Sequence, residues 1–238
     1  MISKSEISLF SSLKQKKFRL KEQLFVVEGR KSIDELLKSQ FQVERLFTVK
    51  EDLFSEANAE IIKAKDYRRI SSFKNGDGSL ALVRIPYHKP NLDSDILFLD
   101  GIRDPGNLGT MMRSSDWYGL KQVLCSEDCA DFYNPKTVAA SMGSIFHLNY
   151  AQIESSVLKQ LQNSHQIIAT SLEGETEFEF DKDKPKVIVI GSESHGIRDE
   201  VIKHSHCLIR LEGKGEAESL NASVACGIIL DRIFAFNR

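Results

Sequence analysis

The chain has 238 residues, of which 41% are hydrophobic and 28% charged, with four cysteines and a formal net charge of −2. This composition is typical of a folded globular protein and excludes a disordered or fibrous chain. No apolar run reaches the length of a membrane span and the first residues lack the apolar core of a secretion signal, so we expect a cytoplasmic protein without membrane association. The cysteines are too few and too irregularly spaced for a disulfide framework or a zinc site, and we expect no bound metal.

The charge is unevenly distributed along the chain. Residues 1–90 carry 18 Lys and Arg against 12 Asp and Glu, whereas residues 91–238 carry 14 against 22. Such an asymmetry indicates two parts with different roles. A linker over residues 86–92 contains two prolines and marks a boundary. We therefore predict one domain over residues 1–90 and a second over residues 91–238.

The first domain has the pattern of a small α/β unit. Its opening segment, up to about residue 24, is basic, and it suits either a phosphate-contacting surface or the solvated face of a helix; charge alone does not decide between them. The predicted elements are a strand at 24–27, a helix at 32–38, a strand at 43–49, a helix near 55–65 and a strand at 80–85.

The second domain alternates regularly between apolar runs and helical patterns. Strands are predicted at 96–99, 122–124, 145–148, 167–169, 187–190 and 207–211, and helices at 107–118, 135–143, 154–162, 199–203 and 219–236. Strands that are buried on both faces and separated by helices indicate a parallel sheet. Ligands of such sheets bind beyond the carboxyl ends of the strands.

Three polar segments with glycines follow predicted strands of this domain, at 100–113, 191–197 and 212–221, and we expect them at one edge of the sheet. None contains the GxGxxG or GxxxxGK[ST] pattern of the common nucleotide-binding loops. A plain strand-to-helix turn would explain the glycines and the proline of the first segment. It would not explain Asn107 and Arg113, which lie six residues apart near the start of a helix.

These segments together resemble a known family. Asn107-x-Gly-x-x-x-Arg113, Gly191-x-Glu193-x-x-Gly196 and Ser219-Leu-Asn-x-Ser-Val-Ala225 are similar to motifs 1, 2 and 3 of the SpoU (TrmH-like) class of SPOUT RNA 2′-O-ribose methyltransferases, in the same order. The resemblance begins near residue 95, and residues 17–29 resemble part of an L30e-like substrate-binding domain. It implies an α/β fold whose C-terminal parallel sheet has a deep trefoil knot, an exception to the usual rules of topology, and a smaller N-terminal α/β domain.

The resemblance also implies a cofactor and a set of site residues. The family uses S-adenosyl-L-methionine, held largely by main-chain groups, and the matching positions are Thr170, Gly191, Leu211 and Leu220. The catalytic positions are Arg113, Asn107, Glu193, Ser219 and Asn221, and the RNA-binding positions are Lys17 and Arg19. Where the family has Ile-Pro-Met, this chain has Leu211-Glu-Gly213, which lacks the stiffness of the proline and the apolar cover of the methionine.

Methylation of a ribose 2′-hydroxyl requires that its oxygen be aligned behind the methyl group and lose its proton, so positioning supplies much of the acceleration. In the family the motif 1 arginine, here Arg113, activates this hydroxyl. Because a guanidinium stays protonated in proteins, we expect Arg113 to stabilise the developing alkoxide and to grip a neighbouring phosphate, while a phosphate oxygen or water accepts the proton. Asn107 is expected to orient the ribose or Arg113, and Glu193 to fix the motif 2 loop.

Simpler interpretations exist for the same residues. A lone arginine on a helix is most often an ordinary surface cation, Glu193 suits a cap of the helix after Gly196, and Ser219 with Asn221 suits a cap of the last helix. His195 and His147 stand singly and are not counted as site residues. We expect Trp117 and Tyr118, on the motif 1 helix, to pack and not to stack on a base.

Three functions are weighed. The leading hypothesis is a homodimeric methyltransferase in which both subunits shape the site, acting on ribosomal RNA, with transfer RNA as the second choice. The alternative is a non-catalytic RNA-binding or ribosome-assembly protein that retains the knotted fold, which only Leu211-Glu-Gly213 favours. A small-molecule enzyme of the nucleotide-binding α/β class is a third hypothesis, and it leaves the basic first domain without a purpose.

Overall fold

A computed structural model describes residues 2–176, 180–181 and 183–235. In the N-terminal part of the chain, short helices alternate with the strands of a small sheet. In chain order the elements are α1 (Lys4–Ser12), α2 (Lys16–Glu22), β1 (Leu24–Glu28), α3 (Arg30–Lys38), β2 (Val43–Thr48), a 3₁₀ turn (Ser55–Ala57), β3 (Glu60–Ile61), α4 (Ala64–Ile70) and β4 (Ser79–Arg84).

The rest of the chain alternates between parallel strands and helices. Its elements are β5 (Ile96–Asp100), α5 (Pro105–Trp117), β6 (Gln122–Cys125), α6 (Pro135–Ser141), a 3₁₀ turn (Ser144–Phe146), β7 (Asn149–Gln152), α7 (Val157–Leu161), β8 (Gln166–Glu175), β9 (Lys186–Gly191), α8 (Asp199–Ile202), β10 (Cys207–Ile209), α9 (Ala222–Leu230) and a π-helical turn (Asp231–Ala235). Among the described residues no helix is both long and apolar enough to cross a membrane.

The chain divides into two compact units, one made of residues 1–87 and 131–146 and the other of residues 88–130 and 147–238. A boundary at residue 90 would assign 131–146 to the second domain, whereas the contacts of this segment group it with the first. The reason is aromatic packing: the Tyr133 ring lies 4.8 Å from that of Phe25, and the Phe146 ring 5.1 Å from that of Phe41.

The first unit has a four-stranded sheet in the order β1-β4-β2-β3, in which β4 is antiparallel to both neighbours. Its core includes Phe10 of α1 against Phe47 of β2. The helix predicted near residues 55–65 is wrong. Phe54 and Asn58 both have left-handed backbone conformations, which interrupt a helix, and Glu60 and Ile61 pair with β2 instead.

The second unit contains a six-stranded sheet in the order β10-β8-β9-β5-β6-β7, and every pairing in it is parallel, so the predicted parallel sheet is confirmed. The strand predicted at 145–148 is wrong, because the buried apolar run forms a 3₁₀ turn and the strand begins at Asn149. The last helix begins at Ala222, three residues later than predicted, and position 236 lies outside the described residues. The trefoil knot remains a prediction.

Arg19 was predicted to contact RNA, but the structure contradicts this. The residue is only 2% exposed. Its Nη1 donates to the carbonyl of Leu13 at 2.7 Å, and its Nε donates to Asp131 Oδ2 at 2.9 Å. Since these partners are fixed within the first unit, Arg19 holds α2 to the segment that precedes α6 and is not available to phosphate. Lys17, on the same helix, is exposed and stays a candidate.

Replacing Arg19 with methionine should lower the free energy of unfolding by about 3 kcal/mol, because it leaves the Asp131 carboxylate, itself largely buried, without its cation. Denaturant titration followed by circular dichroism measures this. Lys17→Met on the same helix is the matched control and should change the stability by less than about 0.5 kcal/mol. Equal stability of Arg19→Met and the parent protein would show that the ion pair is not structural.

Candidate active site

Three loops leave the same edge of the large sheet, as the sequence predicts. Strands β5 and β9 are neighbours, and Asp100 lies opposite Gly191 at their carboxyl ends. The loop before α5 and the loop over residues 192–198 are therefore adjacent. The third loop, over residues 210–221, follows β10, which pairs in parallel with β8.

One carboxylate oxygen joins all three loops. Glu193 Oε1 accepts hydrogen bonds from Asn107 Nδ2 at 3.1 Å, from Asn221 Nδ2 at 2.6 Å and from the backbone N–H of Ala222 at 3.0 Å. Asn221 Nδ2 also donates to Asn107 Oδ1 at 3.0 Å. Asn107 and Asn221 lie 86 and 28 residues from Glu193 in sequence. The fold brings the three side chains into one polar cluster, which we call the Glu193 cluster.

Helix caps hold two members of the Glu193 cluster in place. Asp104 Oδ1 accepts from the backbone N–H of Asn107 at 2.8 Å where α5 begins with Pro105. Asn221 Oδ1 accepts from the N–H of Ser223 and caps α9. Asn221 thus caps the last helix and joins the cluster at the same time.

Neither Glu193 nor Ser219 caps the helix that the simpler interpretation assigned to it. Glu193 does not cap α8, the helix after Gly196, whose N-terminus has no side-chain cap; it accepts instead from the first residue of α9. Ser219 is exposed, and no hydrogen bond to it exists within the part of the chain that the structure describes. Its predicted role in the pocket remains a proposal.

The motif 2 loop folds back tightly on the end of β9. The backbone groups of Ser192 and Gly196 exchange hydrogen bonds of 3.0 and 2.9 Å. A Cβ atom at position 191 would lie 2.3 Å from the backbone carbon of Gly196, so only glycine permits this approach. Gly196 itself has a φ of +66°. This turn is what presents Glu193 to Asn107 and Asn221.

An ion pair that we did not predict, between a buried aspartate and an exposed arginine, anchors the same loop. Asp100 is 1% exposed and accepts from the backbone N–H of Arg198 at 2.9 Å and from its Nε at 2.8 Å. These hydrogen bonds, with the charges of Asp100, Asp128 and Glu200, raise the pKa of the Arg198 guanidinium. The pair ties the end of the motif 2 loop to β5, just before the motif 1 loop. An aspartate that ends a predicted buried strand was the only signal for it.

Cys129 is hydrogen-bonded to the start of the motif 1 loop, at Leu99 and Ile102. Its sulfur accepts from the Ile102 N–H at 3.1 Å and donates to the Leu99 carbonyl at 3.3 Å. Hydrogen bonding with Cys125, and then with Ser126 and Ile102, lowers the pKa of the buried Cys129 thiol to about 7. All four cysteines are free, as expected for structural thiols.

Arg113 lies on another face of α5 from Asn107. Six residues along a helix correspond to a rise of about 9 Å and a turn of about 240°. Arg113 is exposed and, among the described residues, makes no hydrogen bond or ion pair. One turn further along, Trp117 is 81% exposed, so it does not pack within the described part of this chain; that it packs and does not stack on a base stays a prediction. The structure therefore brings Asn107, Glu193 and Asn221 together but leaves Arg113 facing outward.

Of the predicted cofactor positions, Thr170 lies within β8, Gly191 ends β9, and Leu211 and Leu220 lie in the loop between β10 and α9. Thr170 Oγ1 donates to the Val189 carbonyl at 3.2 Å, which ties β8 to β9. Leu211 is half-buried just beyond β10, and Leu220 is 48% exposed beside the cap of α9. Within the described residues no hydrogen bond engages the main chain of residues 211–220, so its N–H and C=O groups are free to meet a ligand.

Comparison with known proteins decides the family. The model of the SpoU rRNA methylase family matches residues 95–231, which include all three loops. This chain belongs to the SpoU rRNA methylase family. A second model, of an MRM3-like substrate-binding domain, matches residues 4–81.

Similar proteins of this family extend over nearly the whole chain. The 23S rRNA (guanosine(2553)-2′-O)-methyltransferase RlmP of Bacillus subtilis is 26% identical over 93% of this chain and 92% of its own length. The 23S rRNA (guanosine-2′-O-)-methyltransferase RlmB of Coxiella burnetii is 30% identical over 87% and 84%. A solved structure of an AdoMet-bound rRNA methyltransferase from Sinorhizobium meliloti superposes with a TM-score of 0.83 at 27% identity, over 97% of this chain and 95% of that one.

The residues present fit the cofactor of the family. Adenine and a methionine moiety offer hydrogen-bonding edges that main-chain groups can meet, and residues 211–220 provide such groups. Added side-chain atoms at Gly213 and Gly215 would meet nothing within 4 Å, so this loop is open to a ligand. Among the described residues no group of three or more His, Cys, Asp and Glu is arranged to hold a metal ion.

Proposed function

We propose that this protein transfers a methyl group from S-adenosylmethionine to a ribose 2′-hydroxyl of ribosomal RNA, with transfer RNA as the second choice of substrate. The Glu193 cluster carries the proposal, because it joins the three family motifs through hydrogen bonds at one edge of the sheet. Ribosomal RNA is favoured because relatives that are similar over most of this chain are named as 23S rRNA methyltransferases.

The residues of this site have two roles: some fix the positions of the three loops, and Arg113 stabilises charge at the reacting oxygen. Glu193, Asn107 and Asn221 fix the relative positions of the three loops, which sets the geometry that an aligned methyl transfer needs. The Asp100–Arg198 pair positions the motif 2 loop through the backbone N–H of Arg198. The exposed Arg113 is the cation that stabilises the developing alkoxide and binds the adjacent phosphate, and a phosphate oxygen or water accepts the proton.

The cofactor would be held by the main chain near Thr170, Gly191, Leu211 and Leu220. When bound, S-adenosylmethionine supplies an electrophilic methyl group on a positively charged sulfur. The motif 2 loop and residues 211–220 would lie beside it, and Leu220 would offer it an apolar surface. The lack of proline and methionine at 212 and 213 leaves this surface less apolar than in the family pattern.

We also propose that a second copy of the chain completes the site. The packed helices α5 and α9 expose Trp117, Val224 and Ile228, which are 81%, 51% and 37% accessible. Val224 and Ile228 lie one turn apart on the same face of α9. Trp117 lies one turn beyond Arg113, so the partner that covers this apolar surface would also flank the arginine. Light scattering should give twice the chain mass at micromolar concentration; a monomer would contradict the proposal.

Two measurements separate this function from a non-catalytic RNA-binding protein. Calorimetry should detect binding of S-adenosylmethionine, and incubation with ribosomal RNA and methyl-labelled cofactor should place the label in RNA. If the protein binds ribosomal RNA but shows no heat of binding with millimolar cofactor, the non-catalytic alternative is correct. Label that appears in a base instead of a ribose would refute the proposed acceptor atom.

A further inference from the structure

An exposed cationic face runs along α4 in the first unit. Lys65, Arg68 and Arg69 are exposed, whereas Tyr67 and Ile70 on the opposite side are 5% and 1% accessible. On a helix with 3.6 residues per turn, positions 65, 68 and 69 fall within an arc of about 100°. These three residues, which we call the α4 face, therefore point the same way, directly away from the core.

Two of the three cations of the α4 face, Lys65 and Arg68, have no counter-ion among the described residues, unlike the other arginines of the first unit. Elsewhere in that unit each described arginine is paired with a carboxylate: Arg19 with Asp131, Arg30 with Asp34, Arg45 with Glu6 and Glu60, and Arg84 with Glu44. On the α4 face, Arg69 reaches Asp66 only at 4.0 Å. Lys65 and Arg68 make no hydrogen bond or ion pair within the described residues.

A fourth cation strengthens the positive charge at the end of this helix. Lys14 Nζ donates to the carbonyl of Ser71, the C-terminal cap of α4, at 3.0 Å. The only acidic residue of α4 is Asp66, whose side chain is 13% exposed. Because Lys65 and Arg68 have no counter-ion among the described residues, they repel each other, and a bound polyanion would relieve this repulsion.

We propose that the α4 face is the main phosphate-contacting surface of the first unit, and that it binds the backbone of a structured RNA. Side chains three and four residues apart on a helix have Cβ atoms about 5–6 Å from each other, and a row of cations at this spacing suits a strand that carries one negative charge per nucleotide. The inference rests on the proposed function for the choice of RNA as the polyanion. It assigns the contact to α4 and not to the basic segment around α2, where Arg19 is buried.

The test compares binding of in vitro transcribed 23S rRNA by the full chain and by the variant K65Q/R68Q, without cofactor, between about 50 and 200 mM salt. We expect K65Q/R68Q to bind about tenfold more weakly. Because each lost phosphate contact removes roughly 0.7–0.9 from the slope of log K against log salt concentration, the slope should fall by about 1.5. Both side chains are exposed, so the thermal midpoint should not change, and K65R/R68K should restore the affinity.

Two further double variants serve as matched controls. K159Q/K203Q removes two exposed lysines of the second unit and should retain the affinity and the slope of the parent. K17Q/K21Q removes two exposed lysines of α2, including the other candidate for RNA contact, Lys17, and should lose less affinity than K65Q/R68Q. If K17Q/K21Q loses affinity while K65Q/R68Q keeps it, or if all variants bind like the parent, the assignment to α4 is wrong. Since binding is measured without methyl transfer, a protein that binds RNA through α4 but transfers no methyl group would refute the proposed function alone.

Discussion

Replacing Arg113 with lysine is expected to lower kcat for RNA methylation about a hundredfold while the Kd for RNA changes by no more than about threefold. The loss of a charge-stabilising donor at a developing oxyanion typically costs 10²- to 10³-fold in rate. Lysine keeps the positive charge but not the planar pair of donors that can hold an alkoxide and a phosphate together. Arg113→Ala should cost about a thousandfold. Single-turnover transfer of a labelled methyl group measures both variants.

Arg113 makes no hydrogen bond or ion pair within the described part of the chain, so these changes should leave the folding of the protein unaltered, and equal thermal midpoints would show this. Arg84→Lys is the matched control, since that arginine is also exposed but is paired with Glu44. It should turn over at the parent rate. Near-normal turnover by Arg113→Lys with unchanged RNA binding would eliminate the bidentate cation from the mechanism.

The second large effect concerns Glu193. Glu193→Ala removes the single oxygen that accepts from Asn107, Asn221 and the N–H of Ala222. Without it the three loops lose their common anchor, and misplacement of reacting groups by about 1 Å can cost 10²-fold. We expect kcat/KM to fall about a hundredfold. Glu193→Gln keeps one acceptor oxygen but not the charge, and should fall only about tenfold.

Glu127 offers the matched control for Glu193, because it is an exposed glutamate in the loop after β6, at the same edge of the sheet. Glu127→Ala should keep the parent kcat/KM. If Glu193→Ala were as active as Glu127→Ala, the Glu193 cluster would be a consequence of folding and not part of the site. Equal losses for both variants would point to a general sensitivity of this edge to charge.

The parallel sheet was predictable because its strands are apolar on both faces and its helices begin at recognisable caps. At α5, for example, Asp104 is the N-cap and Pro105 is the first residue of the helix. The same reasoning placed the three loops at one edge. Pattern-based prediction failed near residues 55–65, where the left-handed backbone conformations of Phe54 and Asn58 break a helical pattern. The residue type of Phe54 gives no indication of this backbone conformation.

The residues of the site were predictable only as members of motifs. Sequence gives no means of seeing that Asn107 and Asn221 meet at one oxygen of Glu193, since that depends on strand order. The Asp100–Arg198 pair was missed for the same reason. The burial of individual residues was also not predictable. Arg19 lies in a basic stretch, but it is buried because it binds Asp131, which lies 112 residues away in sequence. Conversely, Trp117 is apolar in type but exposed.

Mapping 2′-O-methylated nucleotides across ribosomal and transfer RNA, from cells with and without this protein, tests its central assignment most directly. A ribose methyl group protects the adjoining phosphodiester bond from alkaline cleavage, so each modified position gives a gap in the cleavage pattern. We predict that at least one gap in ribosomal RNA disappears when the protein is absent and returns with the parent chain but not with Arg113→Ala. Identical patterns in all of these cells would contradict the assignment of the protein as a ribose 2′-O-methyltransferase.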